Sequence, residues 1–312
     1  MNSQESSDSQ NRPGSLICVT GATGFIGRAL VHKLESSGYQ VLALSRTKME
    51  SSENQSKRIS YIHGSFADWV QAIENTKPNV FISCDWSGVG KDVRRDPGQN
   101  ENYHRIVKLA ETAAEAGAET FLTFGSQAEV DPSNKKIPED TKESAQSEYG
   151  KAKIKTRESL GEIFKETSTR FVWGRVFTIY GPGDTRETLI TEGIKKCLAN
   201  EEYPVANPNK VWSFLYIEDF LNAVVLILEN KSISGIINIG NPEVTQIGLA
   251  AKMIAELPNQ SHEINYETTN KISHVEPTWI PETKTLSELS WSPRVDFKEG
   301  LLNTFHWWKK LE

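Results

Sequence analysis

The sequence predicts an α/β fold in which a doubly wound parallel sheet carries a smaller C-terminal lobe. Strand-like apolar runs alternate with amphipathic helical segments, and a glycine-rich turn joins the first strand to the first helix. The 312 residues are enough for one large α/β core with an attached lobe. We place the main domain at residues 15–180 and the smaller lobe at residues 181–312, partly interleaved with the sheet.

Composition and charge argue against several classes of protein. The net charge is −6 and no basic stretch is present, so neither nucleic acid nor an anionic membrane is an expected partner. No run approaches the ~20 apolar residues of a membrane helix. The three cysteines, Cys18, Cys84 and Cys197, lack metal-ligand spacing, so we expect reduced thiols, no metal and a cytoplasmic location. Residues 1–14 are polar, lack a signal-peptide core and are expected to be a disordered tail.

The turn that follows the predicted strand at Leu16–Thr20 has the spacing G-x-x-G-x-x-G, with glycines at 21, 24 and 27. Glycines at a strand-to-helix turn allow close backbone approach, and the N–H groups at the start of the helix face an anion. The sequence therefore predicts a site for a cofactor's phosphates. An ordinary βα turn is the alternative interpretation.

The second strand, predicted at Tyr39–Leu44, ends in Ser45, Arg46 and Thr47. In dinucleotide-binding folds, an acidic residue at this strand end binds the 2′-hydroxyl of NAD, whereas an arginine accommodates the 2′-phosphate of NADP. Because Ser45 and Arg46 stand here without a carboxylate, the sequence favours NADP(H) over NAD(H). A solvated surface arginine is the alternative.

The alternation of strands and helices continues to about residue 180. Further strands are predicted at 59–63, 80–84, 121–124 and 170–179, with helices at 69–75, 100–116 and 144–165. In the lobe, the sequence predicts strand-like segments at 212–217 and 236–239 and helices near 219–228 and 248–257. Asp85, Trp86 and Ser126 follow strands of the sheet, where ligands bind in open α/β folds.

Tyr149 and Lys153 lie four residues apart on one predicted helix, so their side chains share a face. A free phenol has a pKa near ~10, and an ammonium group beside it favours the phenolate and lowers that pKa. The pair can therefore supply an acid and base near neutral pH. A surface aromatic beside a solvated lysine is the alternative.

In combination, these motifs resemble the extended branch of the short-chain dehydrogenase/reductase superfamily, which includes the NAD(P)-dependent nucleotide-sugar epimerases, dehydratases and reductases. The resemblance covers residues 16 to about 305 and is carried by the glycine-rich turn, Ser126, Tyr149-x-x-x-Lys153 and the segment Tyr180-Gly-Pro-Gly-Asp. It implies a Rossmann-type NAD(P)-binding domain and a lobe that binds a nucleotide sugar. It also implies a homodimer formed through the helices at 100–116 and 144–165.

The resemblance assigns roles to individual residues. Tyr149 would be the general acid and base, Lys153 would lower its pKa and bind the nicotinamide ribose, Ser126 would bind the reacting oxygen, and Asn102 would support a proton relay. The cofactor residues implied are Gly21, Thr23, Gly24, Phe25, Ile26 and Gly27 at the pyrophosphate, Ser45 and Arg46 at the 2′-phosphate, and Ser65 and Phe66 at the adenine. The substrate residues implied are Trp86, Ser126, Gln127, Tyr149 and Arg186.

Departures from the family pattern narrow the chemistry. Gln127 and Ala128 stand where dehydratases carry an Asp-Glu pair, and Gly183 stands where double epimerases carry an acid or base, so neither reaction is expected. Trp212 replaces an arginine near the diphosphate, and Asp85 replaces a small residue beside the nicotinamide. We therefore expect an NADPH-dependent reductase of a nucleoside-diphosphate-4-keto-6-deoxyhexose. An NAD-dependent 4-epimerase and a non-catalytic cofactor-binding protein are the alternatives.

Overall fold

The computed structural model describes residues 15–48, 56–90, 92–133, 135–257, 263–266 and 278–311. The predicted tail at 1–14 lies outside this part of the chain. Its central feature is a seven-stranded sheet with the order β11-β6-β5-β4-β1-β2-β3, in which all neighbouring strands pair in parallel. Its strands are β1 (Leu16–Thr20), β2 (Gln40–Ser45), β3 (Ile59–His63), β4 (Val80–Ser83), β5 (Thr120–Ser126), β6 (Arg170–Val176) and β11 (Gly235–Ile239).

Helices cover both faces of this sheet, as the alternating apolar runs predict. Ile17 and Val19 of β1 join the core on one face, whereas Cys18 between them joins the core on the other. The helices of the described chain are α1 (Phe25–Ser36), α2 (Phe66–Thr76), α3 (Gln99–Glu115), α4 (Glu148–Lys165), α5 (Leu189–Leu198), α6 (Ile217–Glu229), α7 (Ile247–Ala255), α8 (Lys284–Glu288) and α9 (Phe297–Lys309). The doubly wound α/β fold is therefore confirmed.

The chain after β6 forms several short strands and also contributes to the main sheet, because its β11 pairs with β6. Its two-stranded pairs are β7–β10, β9–β12 and β8–β13. These strands are β7 (Ile179–Tyr180), β8 (Tyr203–Val205), β9 (Val211–Trp212), β10 (Leu215–Tyr216), β12 (Thr245–Gln246) and β13 (Ile264–Tyr266).

Several predicted boundaries differ from the structure: the strand predicted at 170–179 is β6 and β7, and the helix predicted at 69–75 is α2 at Phe66–Thr76. Two further differences have local reasons. The segment 212–217 is two strands rather than one, and Ser213, which lies between them, donates its hydroxyl to the Asn241 carbonyl at 2.7 Å. Helix α4 begins at Glu148 rather than near 144, because the Ser147 hydroxyl caps its first turn by accepting a hydrogen bond from the Gly150 N–H at 3.1 Å.

All three cysteines are free thiols, as expected from their spacing. In the described ranges, no cluster of three or more His, Cys, Asp or Glu side chains is arranged to hold a metal ion. None of the helices listed above is both long and apolar enough to cross a membrane.

Candidate active site

A cavity of about 600 Å³ opens at the carboxyl edge of the sheet, where the strand order reverses between β1 and β4. This is the position at which open α/β sheets bind ligands. Its walls come from the glycine-rich turn, the segments after β4 and β5, α4, and the segment from the end of β6 to β7. The predicted site residues that line it are Gly24, Phe25, Ile26, Gly27, Trp86, Ser126, Gln127, Tyr149, Lys153 and Arg186.

The glycine-rich turn leaves no room for side chains. Gly21 has a φ of +66°, and a Cβ there would lie 2.7 Å from the Cys84 carbonyl oxygen. A Cβ on Gly27 would lie 2.1 Å from the Gly21 carbonyl oxygen. Helix α1 starts directly after Gly24, so its first N–H groups face the turn. This close backbone arrangement at a helix N-terminus fits the pyrophosphate of a dinucleotide.

The end of β2 lies beside this turn, since the Ala22 N–H donates to the Leu44 carbonyl at 3.2 Å. Ser45 is buried and donates its hydroxyl to the Thr47 carbonyl at 2.7 Å, while Arg46 is exposed. On the next strand end, Ser65 caps α2 and donates its hydroxyl to an Asp68 carboxylate oxygen at 2.8 Å. The adenosine end of the proposed cofactor site therefore offers the exposed guanidinium of Arg46 and two serines that are engaged in local turns.

The Tyr149 side chain is buried at the cavity wall, which Ser126 also lines. Burial raises the pKa of Tyr149, while the positive charge of Arg94 and the Ser126 hydrogen bond act in the opposite direction. The Arg94 guanidinium carbon lies 5.4 Å from the centre of the Tyr149 ring. Strand β5 and helix α4 thus bring the predicted Ser126 and Tyr149 together.

Lys153 is buried and lines the same cavity as Tyr149. Its Nζ donates to the Phe124 carbonyl at 2.7 Å and lies 3.6 Å from the centre of the Trp86 ring, but 5.7 Å from the centre of the Tyr149 ring. Burial lowers the pKa of Lys153 to about 7, and the nearby Glu129 carboxylate works against this decrease. Among the cations near Tyr149, Arg94 has the largest lowering effect on its pKa, and the expected effect of Lys153 stays a prediction.

Asn102 lies behind the cavity and holds the segment that follows β4. It accepts from the Ser87 N–H and hydroxyl, both at 3.0 Å, and from Arg105 at 2.7 Å. Arg105 also forms an ion pair with the buried Asp85 carboxylate at 2.6 Å. The negative charge of Asp85, which departs from the family pattern, is therefore neutralised by Arg105. Asn102 is placed to fix the position of Trp86 next to Ser87.

Arg186 lies on the lobe side of the cavity with its charge balanced. Its guanidinium binds both carboxylate oxygens of Asp184, at 2.7 and 2.9 Å, and donates to the Ile179 carbonyl at 2.9 Å. It also lies 5.0 Å from the centre of the Phe25 ring. Trp212, which replaces the family's arginine, donates its indole N–H to the Thr178 hydroxyl at 2.7 Å.

A buried ion pair supports the end of β5. The Glu129 carboxylate accepts the Ser126 N–H at 2.6 Å, the Arg175 Nε–H at 3.2 Å and the Trp173 indole N–H at 3.1 Å. Glu129 and Arg175 are completely buried. Burial raises the pKa of Glu129, and Arg175 opposes that increase. The pair holds Ser126 in place by its backbone.

Sequence reasoning missed both Glu129–Arg175 and Arg94. For Arg94 a signal existed, because it lies in the charged run between β4 and α3 that faces the predicted ligand edge. For the ion pair, 46 residues separate the two side chains in sequence, and only the pairing of β5 with β6 brings them together.

The fold and the site define a Rossmann-type dinucleotide-binding protein with a tyrosine and a lysine at its cavity. A model of the NAD dependent epimerase/dehydratase family matches residues 17–240. The chain belongs to this family, as its motifs indicated, and it is an enzyme of the NAD-dependent oxidoreductase type.

Similar proteins extend over nearly the whole chain. YtcB of Bacillus subtilis (strain 168), described as an uncharacterized UDP-glucose epimerase, is 25% identical, with 92% of this chain and 96% of YtcB covered. GDP-L-fucose synthase 1 of Arabidopsis thaliana is 22% identical, with 94% of this chain and 93% of that protein covered. The UDP-glucose 4-epimerase of Thermotoga maritima, solved with UDP-glucose, has a TM-score of 0.83 at 23% identity, with 95% of this chain and 100% of that chain covered.

A second solved structure carries a cofactor. The UDP-glucuronic acid 4-epimerase of Bacillus cereus, in complex with UDP-glucuronic acid and NAD, has a TM-score of 0.81 at 23% identity, with 95% of this chain and 100% of that chain covered. At this level of identity, these structures confirm the Rossmann-type fold.

Proposed function

We propose that this protein is an NADPH-dependent reductase that transfers a hydride to C4 of a nucleoside-diphosphate-4-keto-6-deoxyhexose. The observation that carries the proposal is the end of β2, where Ser45 is followed by Arg46 and neither residue is acidic, directly beside the glycine-rich turn. An exposed arginine at this place suits the extra phosphate of NADP(H). A cofactor that arrives reduced and leaves oxidised suits a net reduction.

The chain's own residues then have defined tasks. The backbone of Gly21 to Gly27 holds the pyrophosphate, and Lys153 binds the nicotinamide ribose. Bound NADPH supplies the hydride for C4 of the sugar. The Tyr149 phenol donates its proton to the C4 oxygen, which converts the ketone to a hydroxyl, and Ser126 hydrogen-bonds the same oxygen. The walls of the cavity fix the relative positions of these groups.

The nucleotide-sugar part of the proposal is supported by the relatives. Those named above act, by their names, on UDP- or GDP-linked sugars or make them, and they match 92% and 94% of this chain. The cavity between the sheet edge and the lobe, lined by aromatic side chains such as Phe177, Phe214 and Trp212, offers the mixed apolar and polar surface of a small-molecule site.

A second candidate is a nucleotide-sugar 4-epimerase, which is supported by the names of the similar solved structures and by the NAD bound in one of them. It would use the same Tyr149, Lys153 and Ser126, but it would keep NAD bound and return the hydride to the opposite face of a 4-keto intermediate. The two candidates therefore differ in whether the cofactor leaves in each cycle.

The deciding experiment is a titration of the purified protein with NADPH and with NADH, together with a measurement of any cofactor retained through purification. Preference for NADPH and an empty site on isolation support the reductase, and turnover of 4-keto-6-deoxy nucleotide sugars is then expected. Retained NAD, together with interconversion of two nucleotide sugars without added reductant, would establish the epimerase instead. A protein that binds either cofactor but turns over neither class of substrate would support the non-catalytic alternative.

Two further expectations belong to the proposal. We propose a homodimer formed through α3 and α4, which pack together and share an open groove lined by Tyr103, Val107 and Ile163. Light scattering of the purified protein tests this dimer, and a monomer at micromolar concentration would contradict the proposal.

The cytoplasmic location is proposed from the free thiols alone.

A further inference from the structure

Arg94 comes from a short 3-10 turn, Asp92–Arg95, that lies between β4 and α3 and packs against α4, and Arg94 lines the cavity. Its Nε donates to the Val89 carbonyl at 3.0 Å, which directs the guanidinium toward the cavity. The guanidinium carbon lies 5.4 Å from the centre of the Tyr149 ring. A cation at this distance over an aromatic face is attracted to the ring.

The other cations around Tyr149 have closer partners of their own. Lys153, on the same helix, contacts the Phe124 carbonyl and the Trp86 ring, and its Nζ lies 5.7 Å from the centre of the Tyr149 ring. Arg186, from the lobe, is paired with both oxygens of Asp184.

Glu129, which follows β5 in the sequence, carries a negative charge that opposes ionisation of the Tyr149 phenol. Ser126, also from β5, contributes a neutral hydrogen bond. Of the groups that face Tyr149 from these elements, Arg94 is therefore the one best placed to balance a negative charge on the phenol.

We propose that Arg94 is a positioning residue for the proton transfer, whose guanidinium stabilises the phenolate that Tyr149 becomes when its proton passes to the substrate oxygen. The O–H bond of the phenol breaks and a new O–H bond forms on the substrate. The electron pair stays on the Tyr149 oxygen, and its charge spreads into the ring beneath Arg94. The role in turnover rests on the proposed function, but the charge effect on Tyr149 does not.

This assignment agrees with the balance of influences on Tyr149. Among the groups that lower the pKa of its phenol, Arg94 has the largest effect and precedes the Ser126 hydrogen bond. Two positive charges, those of Arg94 and Arg186, thus oppose the effect of burial, which still raises the pKa of Tyr149 overall.

The test measures Tyr149 ionisation without any substrate or cofactor. A fluorinated tyrosine, whose phenol is intrinsically more acidic, is incorporated in place of Tyr149, and its pKa is followed by fluorine NMR. Arg94→Gln is expected to raise this pKa by about 0.5 to 2 pH units, because one positive charge is lost at this distance in a partly solvated site. Arg94→Lys is expected to retain at least half of the effect, because it keeps the charge.

Arg95→Gln is the matched control, because Arg95 is the next residue of the same exposed turn and does not line the cavity. It is expected to leave the phenol pKa unchanged. An unchanged pKa in Arg94→Gln, or an equal change in Arg95→Gln, would overturn the assignment.

Kinetics with a turned-over substrate add a second readout. In the direction that needs the phenolate as base, Arg94→Gln is expected to move the pH dependence of kcat upward by the same interval as the phenol pKa. An increase in KM alone, with an unmoved pH profile, would instead make Arg94 a binding residue for an anionic substrate group. If the protein turns over no nucleotide sugar but Arg94→Gln still raises the pKa of the fluorinated tyrosine, the proposed function fails and the electrostatic role of Arg94 stands.

Discussion

The glycine-rich turn and the surroundings of Tyr149 face the same cavity but are built on different principles. In the turn, backbone atoms approach so closely that a Cβ on Gly27 would overlap the Gly21 carbonyl. Around Tyr149, side chains from separate segments, such as Arg94 and Ser126, act through charge and hydrogen bonds. The turn therefore depends on shape and tolerates no added atom, whereas the chemistry at Tyr149 depends on charges that substitutions can adjust while the fold persists.

The most severe test of the Tyr149 region removes the phenol oxygen. Tyr149→Phe is expected to lower kcat by roughly 10²- to 10⁴-fold, because the group that donates the proton is lost, and to leave cofactor affinity unchanged. Steady-state turnover and cofactor titration check the two parts. Tyr103→Phe is the control, since this tyrosine lies outside the cavity and hydrogen-bonds Ser159. Undiminished turnover in Tyr149→Phe would remove the proposed acid.

The second test uses the buried charge of Lys153. Its pKa is lowered to about 7, whereas a lysine in an unfolded chain titrates near ~10.4. Between these pH values the unfolded chain binds one more proton than the folded chain, so the free energy of unfolding contributed by this group rises with pH across the window and is constant below it.

In the wild type, Lys153 is expected to raise the free energy of unfolding by an amount on the order of 3 kcal/mol between about pH 7 and pH 10. Lys153→Met is expected to abolish this rise. Urea unfolding of the cofactor-free protein at several pH values measures it. Lys151→Met, an exposed neighbour paired with Glu148, should behave like the wild type. If the free energy of unfolding changes with pH equally in the wild type and in Lys153→Met, burial does not lower the pKa of Lys153.

The third test adds one carbon to the turn. Gly27→Ala is expected to lower the free energy of unfolding by about 1 to 3 kcal/mol and to weaken cofactor binding, because its Cβ overlaps backbone that cannot move aside. Gly161→Ala is the matched control: it lies within α4 with open space around it, and it should be stabilising by roughly 0.5 to 1 kcal/mol. Thermal or urea unfolding measures the stability of both variants. A Gly27→Ala protein as stable as the wild type would contradict the proposed steric overlap.

The mildest change expected is at Arg46. Arg46→Gln should weaken NADPH binding by roughly tenfold, the effect of losing one charge-assisted hydrogen bond, and should leave NADH binding unchanged. Arg58→Gln serves as the control, because Arg58 is equally exposed but lies at the amino end of β2, where its carbonyl accepts the Val41 N–H. Equal losses for both cofactors would show that Arg46 does not recognise the 2′-phosphate.

Much of the fold followed from the chain alone, because the signals were local. Apolar runs bounded by glycines predicted the strands of the main sheet, and Gly21, Gly24 and Gly27 predicted the turn between β1 and α1. The family resemblance also rested on short motifs. Boundaries failed where a single side chain decided them, as at Ser147 and Ser213, because a cap or a hydrogen bond to a distant carbonyl leaves little trace in periodicity.

The contents of the cavity were predicted less completely. Ser126, Tyr149 and Lys153 line it, but the hydrogen bond from the Lys153 ammonium group to the Phe124 carbonyl was not predicted. The position of Arg94 depends on a loop whose hydrogen bonds are made only after β4 and α3 have packed.

The sequence by itself thus determined the doubly wound sheet, the turn suited to a dinucleotide phosphate and the identity of the groups available for chemistry. These properties depend on residue type and on spacing within one strand-turn-helix unit. The tertiary structure decided which cation lies over Tyr149, which carboxylate supports Ser126 and which arginine is neutralised. The physical reason is that Coulomb energies and pKa values depend on distance and burial, and both are defined only when distant segments meet at the edge of the sheet.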